Sequence, residues 1–258
     1  GLRWQAMVQG LAFFSHQIGS FVGALGGGLL YTALGNYELA WRLGMALAAS
    51  NLVLGDTNGF EDVFVRDTLT ETTLRASVSS SGVEANSPPT SPSISSDGRY
   101  VAFGTFANNL VNGDTNAFQD IFVYDLFTNT TRRVSIDSNE AEPDGTSTGQ
   151  SISADGRYVS FYSFATNLVG GDTNGARDIF VRDTLIGTTT RVSVASNGAD
   201  GNGSSYSSSI SSDGHYVTFE SVASNLVGDD TNGVRDIFRR DLGVPVDNTP
   251  AGVGVQVQ

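Results

Sequence analysis

From residue 49 onward the chain reads as short apolar runs set between polar turns. "DIFVRD" (178 to 183), "TTTRVSV" (188 to 194), "SSSIS" (207 to 211) and "HYVTFES" (215 to 221) each span strand length, and no stretch keeps a helical period for three turns. The pattern predicts four strands. Between the third and fourth sits Asp213-Gly214, matched by Asp97-Gly98 and Asp155-Gly156, and an Asp-Gly pair between alternating runs is a hairpin signal. Phe180 and Val181 are adjacent and both large, so this strand is expected to be covered on both faces.

The block recurs. "ASNLVLGDTNGFEDVFVRD" starts at 49, "ANNLVNGDTNAFQDIFVYD" at 107, "ATNLVGGDTNGARDIFVRD" at 165 and "ASNLVGDDTNGVRDIFRRD" at 223, a constant interval of 58 residues. Four antiparallel strands at a fixed long period predict an all-β fold, a partial β-propeller of about three and a half four-stranded blades. Residues 43 to 48 stand where the first copy should have its preceding hairpin strand, and "LGVPVDNTPAGVGVQVQ" replaces the outer strand of the last. The blades still needed are therefore expected from chain outside this segment or from another subunit, which would cover the open sheet edges.

Residues 1 to 48 follow another pattern. Between Arg3 and Glu38 there is no Asp, Glu, Lys or Arg, and "LAFFSHQIGSFVGALGGGLLYTAL" (11 to 34) is long enough for one membrane-spanning helix. Gly19, Gly23 and Gly27 give the small-residue spacing of a helix-helix contact in a bilayer. A buried glycine-rich helix of a soluble domain is the other reading. The segment is expected to be helical and membrane-associated, with residues 49–242 forming the repeats and 243–258 a tail or the start of a further domain. The abrupt junction suits a genuine anchor or a fusion of unrelated reading frames, and the chain as a whole reads as a fragment.

Composition narrows the chemistry. All 14 basic residues are arginine against 27 acids, a formal charge of −13, which disfavours nucleic acid. With no cysteine, disulfides and thiolate sites are excluded. "GTSTG" (145 to 149) matches a serine-nucleophile string, but it lies in a linker without strand-turn-helix context, so Ser147 is not expected to be catalytic. His215 takes the place of Arg99 and Arg157 and is expected on the surface.

The repeated loop is the candidate site. Asp56, Asn58 and Asp62 recur as Asp114, Asn116 and Asp120, as Asp172, Asn174 and Asp178, and as Asp230, Asn232 and Asp236. Oxygen-bearing side chains at positions one, three and seven of a tight loop suit calcium. Asp and Asn in the same places also build turns and bind backbone N–H groups without a metal. Asp67, Asp125, Asp183 and Asp241, after the strand, are expected to start turns. Arg66, Arg182 and Arg240 are expected to pair with carboxylates on an exposed face.

Two family resemblances follow from these residues. "SISSDGRYVAF" (93 to 103) and "SISADGRYVSF" (151 to 161), with the aspartate loop and "DIFVRD", resemble the TolB-like, WD-repeat-like β-propellers of bacterial envelope and secreted proteins. That resemblance implies a binding or scaffolding platform for a protein or glycan, periplasmic, extracellular or membrane-anchored, or else the regulatory propeller of a hydrolase. It supplies no catalytic residue. "FFSHQIGSFVGALGGGLLYTALGNYELAW" (13 to 41) resembles the last two helices of a major facilitator superfamily transporter, which implies a transporter fragment.

Overall fold

The computed structural model describes residues 53, 55–228 and 230–243. The helical expectation for 1 to 48 and the tail from 244 lie outside them. Among the described residues no helix is long and apolar enough to cross a membrane, and the secondary structure is thirteen strands. The chain divides into two compact units, residues 1–59 with 64–74, and residues 60–63 with 75–258.

In the first unit, β1 (Phe64–Asp67) and β2 (Thr72–Arg75) form a two-stranded sheet. Their turn is held by Asp67, whose Oδ1 accepts the N–H groups of Leu69 (2.8 Å) and Thr70 (3.2 Å).

The second unit holds three sheets resembling propeller blades. The first runs β3 (Pro89–Ile94), β4 (Tyr100–Thr105), β5 (Asp120–Asp125) and β6 (Thr130–Arg133), all antiparallel neighbours in sequence order. The second repeats it with β7 (Ser147–Ile152), β8 (Tyr158–Ser163), β9 (Asp178–Asp183) and β10 (Thr188–Arg191). The third has β11 (Ser205–Ile210), β12 (Tyr216–Ser221) and β13 (Asp236–Asp241). The described strands fall into sheets of two, four, four and three, which matches the expected strand content with an incomplete copy at each end of the array.

The third strand of each complete blade is buried from both sides, as the unbroken apolar run requires. Ile121, Phe122, Ile179 and Phe180 are fully buried. Phe122 and Phe180 stack on their cross-strand partners Phe103 and Phe161, with ring centroids 6.0 and 5.9 Å apart. One apolar cluster joins Ala102, Ile121, Val123 and Val134 to Ile152, Val159, Phe161 and Leu168 of the next blade. A second joins Ile179, Val181 and Val192 to Val217, Phe219 and Leu226. Burial of such branched and aromatic chains is the main force holding neighbouring sheets together.

The Asp-Gly hairpins form as expected and also carry a contact between blades. Gly156 and Gly214 have φ of +72° and +73°. A Cβ at Gly156 would lie 2.0 Å from the Tyr100 ring, and one at Gly214 would lie 2.3 Å from that of Tyr158. The tyrosine of each Asp-Gly-Arg-Tyr segment thus rests on the glycine of the following copy.

Candidate functional site

The repeated aspartate loop lies between the second and third strands of each blade, and its conformation is set by asparagine. Asn116 Oδ1 accepts the Phe118 N–H (2.9 Å), and Asn174 Oδ1 accepts that of Ala176 (2.8 Å). Each amide nitrogen then donates to the seventh-position carboxylate, Asn116 to Asp120 at 3.0 Å and Asn174 to Asp178 at 2.9 Å. The asparagine oxygen thereby holds the turn.

The outer strand completes the cluster. Ser135 Oγ donates to Asp120 Oδ1 (2.6 Å) and accepts from the Ile121 N–H (2.9 Å). Ser193 makes the same pair of bonds to Asp178 and Ile179. Two residues earlier, Arg133 sets Nη1 3.3 Å from Asp114 Oδ1, 3.3 Å from Asp120 Oδ2 and 2.6 Å from Glu142 Oε1. Arg191 lies 2.9 Å from Asp172, 3.5 Å from Asp178 and in contact with Asp200. In the first copy Arg75 reaches Asp62 at 3.1 Å and also pairs with Glu84, while Ser77 donates to Asp62 at 2.6 Å. Asp56 and Asn58 belong to the other unit.

The structure therefore brings the predicted carboxylates together in the second and third copies, but around a guanidinium. In those two copies the arginine holds the space between the carboxylates and the asparagine turns N–H groups toward them. A signal for this was present in the sequence. An arginine and an acid nine residues later recur at the 58-residue interval, as Arg75 and Glu84, Arg133 and Glu142, Arg191 and Asp200. The fourth copy keeps the loop, with Asn232 Nδ2 3.0 Å from Asp236 Oδ2 and Oδ1 accepting the Val234 N–H at 2.9 Å.

One cation among three acids leaves each complete cluster negative. Burial, reinforced by the Asp120 charge and opposed by Arg133, pushes the Asp114 carboxyl up to about 6. Burial and Asp178 likewise raise Asp172 to about 6, against the attraction of Arg191. Burial also raises Asp120 and Asp178, although their serine bonds pull the other way.

The other candidates sort differently. Asp125 and Asp183 start turns as expected, accepting the N–H groups of Phe127 and Leu185 at 2.9 Å each. They also bind Arg99 and Arg157 through paired contacts of 2.7 to 3.1 Å, and the Arg99 bonds hold Asp125 far below the ordinary carboxylate range. Arg182 departs from the expected exposed face: it is 4% exposed, donating to Asp137 O (2.9 Å) and Thr189 Oγ1 (3.2 Å) and pairing with Glu140, because the preceding blade's loop closes over it. His215 is likewise buried, not on the surface; its short ring stays beside Tyr216, where the longer Arg99 and Arg157 extend outward to Asp125 and Asp183. Ser147 is fully buried in β7 and its Oγ donates to Ser163 Oγ at 3.0 Å. Gly149 of the same string is a left-handed bulge residue under Tyr162.

Next to these loops lies a cluster that sequence reading missed. The Arg177 guanidinium sits 4.3 Å from the Phe164 ring centroid, 5.1 Å from Tyr206 and 5.8 Å from Tyr162. Arg235 lies 4.7 Å over Tyr206. Phe106, Phe164 and Val222, at one repeat position, are each about half exposed. The ladder escapes a search for periodicity because Tyr162 is replaced by Gly104 and Glu220 in the sibling repeats.

No family model matches the chain, and no curated protein does. Among solved structures it is similar to TolB from Acinetobacter baumannii (TM-score 0.41, 20% identity, 70% of this chain and 35% of that one). It is also similar to a putative TolB from Agrobacterium tumefaciens (TM-score 0.44, 17% identity, 71% and 54%). A third likeness is to the β-propeller domain of the Trilobed protease from Pyrococcus furiosus (TM-score 0.34, 14% identity, 61% and 44%). The chain spans about a third to about half the length of these three. The transporter resemblance of residues 1 to 48 gains no support from them. The blade-like assignment rests on the strand pairings, and the likenesses assign no residue a role.

Proposed function

We propose that this chain is a non-enzymatic binding or scaffolding module of β-propeller type, working in the bacterial envelope or secreted space. The observation that carries the reading is the ladder of Arg177 and Arg235 over Phe164, Tyr162 and Tyr206. Arginine and aromatic side chains are the residues enriched at the energetic centres of protein interfaces. Stacking holds these guanidinium groups in place before a partner arrives, which lowers the ordering cost of binding. Two guanidinium groups already lie over Tyr206, and Arg235 Nη1 also pairs with Glu220 at 2.9 Å, so the remaining N–H groups and the ring edges are what the ladder offers for recognition. That mode suits the carbonyls and carboxylates of a protein better than the stacking of a sugar.

The polar clusters of the complete blades serve the fold, on this reading. Their guanidinium and serine groups stitch the outer strand to the loop. The test compares wild-type protein with Arg177→Ser/Arg235→Ser as bait for envelope extracts, with captured proteins identified by quantitative mass spectrometry. A defined partner enriched by wild type and lost from a variant of unchanged melting temperature supports the proposal. Equal enrichment by both refutes it.

A further inference from the structure

Among the described residues the third blade of the second unit has three strands, and the fourth is specified by its two complete neighbours. β5 and β9 are paired on both sides, by β4 and β6 and by β8 and β10. β13 pairs with β12 alone among the described strands. Ile237 is accordingly 79% exposed, where its counterparts Ile121 and Ile179 are fully buried. Phe238 already stacks on Phe219 at 5.8 Å, so the strand is formed and in register.

In the complete blades the outer strand contributes three groups from consecutive residues. An arginine enters between the loop carboxylates, as Arg133 and Arg191 do. The next residue donates its N–H to the third strand, Val134 to Ile121 O and Val192 to Ile179 O, both at 2.8 Å. The serine after it bridges the seventh-position aspartate and a backbone N–H. Asp230, Asn232 and Asp236 keep the receiving side of this arrangement, with the Asn232 bonds already made.

The chain's own continuation cannot supply the giving side in that register. Residues 58 positions after Arg191, Val192 and Ser193 are Thr249, Pro250 and Ala251. Threonine brings no cation, proline has no N–H to donate and alanine has no hydroxyl. All three functions are lost together.

We propose that the edge of β13 that no described strand pairs is a strand-addition site for a partner segment in extended conformation that carries Arg-x-Ser. The segment lies antiparallel to β13, its arginine between Asp230 and Asp236 and its serine on Asp236, with an apolar residue between them donating its N–H to Ile237 O. This site is separate from the Arg177 ladder and does not depend on it. Main-chain pairing supplies affinity and the two side chains supply selection, as in other strand-addition modes.

The probe is a fluorescent peptide, Thr-Thr-Thr-Arg-Val-Ser-Val, titrated into the full chain and followed by anisotropy. Saturable binding is expected, weakened at least tenfold by alanine at the peptide arginine or serine and by Asp236→Asn in the protein. The peptide variants keep the test decisive should the protein variant fold poorly. No saturable binding, or binding indifferent to the arginine and serine, overturns the proposal. So does binding that appears only after residues 244 to 258 are removed, which would give the edge to the tail. A dimer by light scattering that excess peptide does not dissociate would give it to a second copy.

Discussion

Asp114→Asn is expected to stabilise the protein, and to do so only where the carboxylate is charged. Asp114 shares Arg133 with Asp120 and Glu142, and its pKa is raised from 3.8 to about 6. Each tenfold change in proton affinity is about 1.4 kcal/mol, so holding the ionised form in the fold costs about 3 kcal/mol relative to the neutral form. The folded state binds the proton more tightly than the unfolded chain. Stability from this group is therefore present below pH 4, falls as the pH rises toward 6 and stays lost above it. The attraction of Arg133 at 3.3 Å is already counted in that cost, and solvent screening at this part-buried site reduces what the amide recovers by about 1 kcal/mol. A net gain of about 2 kcal/mol is expected at pH 8, and almost none at pH 3.5. Urea denaturation of both proteins at the two pH values, with m-values compared, measures it. A variant less stable than wild type at pH 8, or equally stabilised at both pH values, would refute the reasoning.

Ser193→Ala removes both bonds of a fully buried hydroxyl, to Asp178 and to the Ile179 N–H, and should cost about 3 kcal/mol by urea denaturation; a loss below about 1 kcal/mol would mean that water replaces it. Gly156→Ala combines a left-handed backbone with a Cβ 2.0 Å from the Tyr100 ring, and a loss of about 2 kcal/mol or more in the same assay is expected. Millimolar calcium should leave the melting temperature of wild type unchanged, since arginine fills the second and third loops; a rise abolished by Asp236→Asn but kept in Asp120→Asn would place an ion at the fourth.

The blades were legible because their determinants are local and repeated. The apolar run at Ile179 to Val181 and the Asp-Gly turn act within a few residues of themselves, and the 58-residue interval repeats them. The loop carboxylates were legible as a group, but not their counter-charge. Asp120 and Arg133 are thirteen residues apart and meet only because β5 and β6 pair. Expectation failed for the same reason at Arg182 and His215, whose exposure is decided by what the neighbouring chain covers. The Arg177 ladder joins Tyr162 of one blade to Tyr206 of the next, and although Arg177 and Arg235 keep the repeat interval, the two tyrosines do not recur at it, so periodicity hides the ladder.

The tyrosine of one copy resting on the glycine of the next gives the array a direction and a unit of exchange. Tyr100 meets Gly156, and Tyr158 meets Gly214. Both of these junctions use the same two halves, so a recombination event that removes a whole repeat restores the junction it cuts: without residues 107 to 164, Tyr100 would face Gly214. A deletion shorter by one residue would leave the ring over a different side chain and shift every later strand face. Selection at the level of the gene therefore acts on repeat length as strictly as on any side chain, which accounts for four copies of varied sequence keeping an interval without slippage.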